Sequence, residues 1–282
     1  MAETYWTGSG TANDFDDAGN WSGSAPSSGD TAIIAATDDS IDDATVTSVY
    51  SKLRVGSSFT GSIGTAVAGG QNALATGNTL AELDYNSKAK AALKGTITSV
   101  VLSDISSASD GFKFYGTTAD FQILGGNGTV TLEAAASITS TLEVLGADSV
   151  KLEVDASATL AGTFIMDGGR VTIASGHSGT LKVRGGTLTL TGGNFGTIEI
   201  TGGGVVKDER TATSSITSVT VYDGTFDGSG ASGDVMTMGT LTIYADGVFD
   251  ERTGVLAWDY TNPIAYEGTG LVYYDTGRTI SQ

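Results

Sequence analysis

From the middle of the chain onward one pattern keeps returning: an apolar residue, any residue, a second apolar residue, one further residue, a glycine-containing turn, and then apolar again. Its clearest copies begin at Phe164, Leu181, Ile198, Val219 and Leu241, and the paired apolar residues are Phe164/Met166, Leu181/Val183, Ile198/Ile200, Val219/Val221 and Leu241/Ile243. Seven residues after each start stands another apolar residue: Val171, Leu188, Val205, Phe226 and Val248. The intervening turns are Gly168-Gly169, Gly185-Gly186, Gly202-Gly203, Asp223-Gly224 and Asp246-Gly247, and looser copies begin at Leu142, Phe121, Val100 and Leu53. With a degenerate copy near Leu80, nine steps cover the 188 residues from Leu53 to Leu241, about 21 residues per step.

Alternation of period two means short strands with one buried face. Gly-Gly and Asp-Gly supply turns with positive φ. A short strand, a tight turn and another short strand, returning together at one period, are satisfied by stacked coils whose backbone bonds run from coil to coil. An antiparallel sandwich also spaces strands closely, but it does not require ladder and turn to return together. The expected fold is therefore all-β, a parallel β-helix (β-solenoid) of about ten short coils, a rod about 50 Å long at roughly 4.8 Å per coil. Residues 1–50 form an N-terminal cap module, 51–254 the solenoid and 255–282 a C-terminal aromatic cap. Residues 66–96 break the pattern and read as an irregular insertion or a short helix, with Thr79 as N-cap and Gly95 beyond its end.

Composition narrows the chemistry. The 282 residues include 41 glycines, 2 prolines, no cysteine and one histidine. Disulfides, thiolate chemistry and multi-histidine metal sites are excluded. Acidic residues outnumber basic ones 32 to 14, for a net charge of −18, which opposes nucleic-acid binding and anionic membranes. No apolar run is long enough to span a membrane. The opening Met1–Trp6 shows no basic segment followed by an apolar stretch, and so reads as lacking a secretory signal.

The N-terminal stretch carries Trp6-Thr7-Gly8, Asn20-Trp21-Ser22-Gly23 and Pro26 followed by Gly29-Asp30-Thr31-Ala32-Ile33. This Trp-x-Gly, Asn-Trp-x-Gly, Pro-x-x-Gly-Asp-x-Ala-x-Ile order resembles the opening module of bacterial β-solenoid surface and passenger proteins, and of some tailed-bacteriophage virion proteins. The resemblance covers residues 5–34. It implies a solenoid start and exterior use, and it implies no catalytic residue.

Trp6, Trp21 and Trp258 all lie near the ends, and Tyr260, Tyr266, Tyr273 and Tyr274 join the last of them. Such rings either plug the open ends of the core or form a docking face. Lys88, Lys90 and Lys94 make the one basic patch and suit an acidic neighbouring subunit. Asp208-Glu209-Arg210-Thr211 recurs as Asp250-Glu251-Arg252-Thr253, read as a duplicated solvent-facing turn with local ion pairs, or else as a carboxylate ladder for a cation or sugar. His177, in a Gly/Ser-rich connection, reads as a solvated turn residue with no nucleophile-elbow pattern around it.

Glu133, Glu143, Glu153, Glu199, Asp208, Asp227 and Asp250 are the carboxylates from which a glycoside hydrolase or lyase site would have to be drawn. The tryptophans stand far from them in sequence, so no enzyme is expected. Asp14, Asp16 and Asp17, and Asp38, Asp39, Asp42 and Asp43, can offer oxygens to calcium but lack a calcium-loop pattern, so a charged solvated loop is preferred and no cofactor is expected. The leading expectation is a structural protein of a bacteriophage virion, a capsid decoration or fibre component on the particle exterior. It would attach through its ends to capsid or tail subunits, as an oligomer and by virion analogy a trimer, with a host-surface glycan as a further partner. The alternative is a bacterial surface adhesin, or a polysaccharide-binding or -degrading spike module.

Overall fold

The structure is a computed structural model that describes residues 2–11, 14–37, 40–41, 46, 50–67, 70–72, 74–75, 79–105, 111–146, 150–231, 236–244, 246–251, 258–262, 264–267 and 270–273. Short strands dominate, and all but one of their pairings are parallel; the exception joins 65–67 to 70–72. Among the described residues the only helical turn is a 3-10 turn at Ala18–Asn20. The chain is a β-solenoid of about nine turns, close to the number the spacing implies.

Three ladders run along it. In the first, Thr4, Ala32, Leu53, Leu83, Val100, Phe121, Leu142, Phe164, Leu181, Ile198, Val219 and Leu241 are successive register partners. The five residues from which the repeat was read, Phe164 to Leu241, thus form one inward column, and all five are fully buried. Each such side chain contributes about 1.5–3 kcal/mol by leaving water, and each packs on its own counterpart one coil away. The second ladder stacks Ile41, Ile63, Ala91, Phe112, Val130, Leu152, Val171, Leu188, Val206, Phe226, Phe249 and Val272. The third stacks Leu80, Ile97, Thr118, Ile138, Leu160, His177, Phe195, Ile216, Met238 and Tyr260.

Three details differ from the sequence reading. The inward residues of the second ladder are Val206 and Phe249, not Val205 and Val248, which are half-buried and point outward. Four residues separate Met166 from Val171 and Val183 from Leu188, but five separate Ile200 from Val206 and Ile243 from Phe249. One added turn residue reverses the face of everything after it. Next, among the described residues of 66–96 there is no helix: Leu80–Ser87 and Lys90–Lys94 are strands. Leu83, not Leu80, continues the first column, while Leu80 opens the third. Buried alternation in Leu80, Leu83 and Tyr85 and in Ala91 and Leu93 outweighs the helix propensity of the alanines and lysines. The departure from parallel pairing among the described residues is the antiparallel pair of 65–67 with 70–72. Finally, His177 is a core residue, described below.

The glycine pairs do two jobs at one position. Gly186 has φ +75°, and a Cβ there would lie 2.5 Å from the Gly169 carbonyl oxygen of the preceding coil. Only glycine meets both the conformation and the close approach.

Candidate functional site

Of the motif residues of the opening module, Trp6, Asn20, Trp21, Pro26 and Ala32 are buried, while Gly23 is exposed and Asp30 and Ile33 are half-buried. Trp6 and Trp21 are 6% and 3% exposed, meet edge to face at 5.2 Å, and share an antiparallel bridge. Phe15 packs on Trp21 at 4.8 Å and on Tyr50 at 5.3 Å, and the Trp21 indole N–H donates to the Phe15 carbonyl at 2.8 Å. Buried Asn20 accepts from the Gly10 amide and donates to the carbonyls of Thr11 and Asp14. Asp17 caps the 3-10 turn by accepting from the Gly19 amide at 2.8 Å, and it also accepts from the Thr11 amide at 2.6 Å. Hydrogen bonds from Thr11, and then from Gly19, hold its carboxyl below the usual range. Asp30 accepts from Ser27 and from the Ala2 amide, which ties the chain start to the first coil and likewise lowers its pKa. The conspicuous residues are therefore the parts of a plug.

At the other end Trp258 is 5% exposed and sits edge-on to Phe226 and Phe249. Gly228 makes room for it: a Cβ there would lie 3.0 Å from the indole nitrogen. Tyr260 packs edge-on to Phe249 and donates its hydroxyl to Glu251 at 3.0 Å. The three indoles are thus packed into the core, nearly buried within the single chain. Among the described residues, the large apolar side chains exposed near the ends are Tyr5 and Leu271, while Tyr273 is half-buried. Tyr274 lies outside the described residues.

Of the calcium candidates, Asp14 is committed to the Asp16 amide and Asp17 to Thr11 and Gly19. Among the described residues no three His, Cys, Asp or Glu side chains group as metal ligands. Asp38, Asp39, Asp42 and Asp43 lie outside the described residues. Lys88, Lys90 and Lys94 are all exposed and stand on or beside one strand, with Lys88 3.9 Å from Asp104.

In the acidic repeat Glu209 and Thr211 are exposed, but Asp208 and Arg210 are not solvent-facing, and Arg252 and Thr253 of the second copy lie outside the described residues. Asp208 follows Leu190 in an inward column and is fully buried, as is Arg210. The guanidinium makes a two-pronged pair with the carboxylate, Nε to Oδ1 at 2.8 Å and Nη2 to Oδ2 at 2.6 Å. Nη1 donates to the carbonyls of Gly193 and Ser215, and the group lies over the Phe195 ring at 5.4 Å. The second copy is out of step. Asp227 is the partner of both Lys207 and Asp250, so Asp250 occupies an outward position and buried Glu251 takes the inward one.

His177, 2% exposed, fills a core position between Leu160 and Phe195. Its Nδ1 lies 2.8 Å from the Leu160 carbonyl, and its Nε2 is buried without a hydrogen-bond partner, as is the nearby Ser175 hydroxyl. Burial pushes the imidazole below its usual pKa of 6.5. Its role is packing, in place of the solvated turn expected.

The carboxylates considered for catalysis are dispersed and locally engaged. Glu133 pairs with Lys113 at 3.4 Å, Glu143 accepts from Gln122 at 2.6 Å, Glu153 pairs with Lys151, and Glu199 lies 3.9 Å from Lys182. One outward feature was not anticipated. Tyr222 and Tyr244 stack in parallel at 4.6 Å with 9° between their planes, and Tyr222 is 41% exposed. Beside them run two polar outward columns, Thr197–Ser218–Thr240 and Glu199–Thr220–Thr242. Among the described residues no helix is long and apolar enough to cross a membrane. Comparison with protein-family models, curated proteins and solved structures finds no match to this chain.

Proposed function

We propose that the chain is a structural rod of a bacteriophage virion exterior, a capsid decoration or fibre-type component, and not an enzyme. The observation that carries this reading is the way the opening module closes one end of a parallel solenoid. Trp6, Asn20, Trp21 and Asp30, the residues of the resemblance, are spent on that closure. Such a module starts a rod whose repeat carries outward columns of short polar side chains such as Thr197, Ser218 and Thr240. The separate engagement of Glu133, Glu143, Glu153 and Glu199 supports a non-catalytic role, since glycoside hydrolysis needs two cooperating carboxyl groups.

Attachment through the ends remains the preferred mode, with Tyr5, Leu271 and Tyr273 in place of the buried indoles and with Lys88, Lys90 and Lys94 set against an acidic neighbour. A trimer follows from virion analogy alone. The test is mass spectrometry and immunogold labelling of purified particles carrying the full chain, with its mass in solution measured by light scattering. Labelled particles support the reading. Chain found in a bacterial envelope and absent from particles favours the surface-adhesin alternative.

A further inference from the structure

We propose that the outward position of Thr201 is a binding slot for a single pyranose ring of a polysaccharide, stacked on the open face of Tyr222. The inference does not depend on the virion reading, since it rests only on this flank of the solenoid.

The geometry follows from the ladder. Val183, Ile200 and Val221 are successive register partners, so the next residues, Arg184, Thr201 and Tyr222, stand at successive levels of one outward column. The backbone bonds agree: the Thr201 amide donates to the Val183 carbonyl and the Tyr222 amide to the Ile200 carbonyl. The Tyr222–Tyr244 spacing of 4.6 Å is close to the spacing of strands, about 4.8 Å, and the rings are nearly parallel. Each ring therefore lies flat at its own level. Tyr244 covers one face of Tyr222. The other face looks toward the level of Thr201, whose short side chain cannot cover a ring as Tyr244 does, and Tyr222 is 41% exposed.

Polar groups bound the slot. Arg184 stands one level beyond Thr201, with its side chain 50% exposed and its guanidinium 3.8 Å from Asp167. Glu199, 39% exposed, lies two residues before Thr201 in the strand Phe195–Ile200, and Lys182 approaches it at 3.9 Å. The turn past Thr201 is open, since a Cβ at Gly203 would meet nothing within 4 Å. An apolar ring face opposed by hydroxyl, guanidinium and carboxylate suits a ligand with one C–H face and a polar rim. A pyranose has that form, whereas an aliphatic partner would leave Arg184 and Glu199 facing apolar surface.

Two variants isolate the slot. Tyr222→Ala removes the platform, and Thr201→Tyr fills the gap by extending the existing tyrosine stack by one level. Saturation-transfer NMR of the full chain with cellohexaose, maltohexaose and a galacturonate oligomer reads binding directly. We expect transfer from tyrosine ring protons to the sugar in the parent and in Tyr222→Phe, and an affinity loss of at least about tenfold in Tyr222→Ala and Thr201→Tyr. A parent chain giving no transfer to any of the three sugars overturns the proposal. So does a folded Thr201→Tyr chain that binds as the parent does.

Discussion

Arg210 closes both prongs of its guanidinium on Asp208 inside the core, where neither side chain is more than 1% exposed. Asp208 stands where Leu190 stands one coil earlier, so a charge occupies a column that is otherwise apolar. The pair is made tolerable by its partners: the Gly193 and Ser215 carbonyls accept from Nη1, and Phe195 covers the cation.

Breaking this pair from one side should be costly. Asp208→Asn or Arg210→Met leaves the partner buried and incompletely matched, and each should lower stability by about 3–5 kcal/mol. The double variant Asp208→Leu with Arg210→Met restores the column and should recover most of that loss. Urea unfolding of the three variants checks the sign. Single variants as stable as the parent would place the pair in solvent.

His177 makes stability depend on pH. Its folded pKa lies below the usual 6.5, so the unfolded chain takes up a proton in a range where the folded chain resists it. The contribution is fully present above that value and declines as pH falls below it. Melting temperature should therefore drop between pH 7.5 and 5.5, and His177→Leu should flatten the slope in that window. An equal slope in the variant would assign the effect to other groups.

Ile198 tests the first column. Replacement by alanine removes buried volume between Leu181 and Val219, and should cost about 2–5 kcal/mol. A thermal melt within a degree of the parent would remove Ile198 from the core.

Gly162 tests coil contact. A Cβ there would fall 1.6 Å from the Ser140 carbonyl oxygen, so alanine forces two coils apart. Gly203→Ala meets open space and carries only the strain of φ +74°, about 1–2 kcal/mol. Gly162→Ala should be the more destabilising of the two in calorimetry, and the reverse order would contradict the packing.

The first ladder was legible because its residues are apolar, periodic and separated by turns of readable composition. Its second companion was misread at Val205 and Val248 because parity depends on counting turn residues, and the turns differ by one. The buried polar groups were missed for a related reason: charge in a sequence suggests exposure. Yet signals existed. Asp208 is two residues beyond inward Val206, and His177 lies 17 residues after Leu160 and 18 before Phe195, which is the local coil length. The aromatic ends were legible as plugs. The slot at Thr201 was not, because its boundary is made by residues 17 and 21 positions away that only the coil register brings together.

Every partner across the ladders comes from the coil just before or just after. Val100 meets Phe121, Phe121 meets Leu142, and the relation recurs down to Leu241. The fold thus works as a ruler graduated in coils. Splicing in one more coil of about 21 residues with matching parity would extend the body by roughly 4.8 Å and leave every other contact as it was. The distance held between the two plugged ends is therefore a quantity that insertion and deletion can tune one graduation at a time.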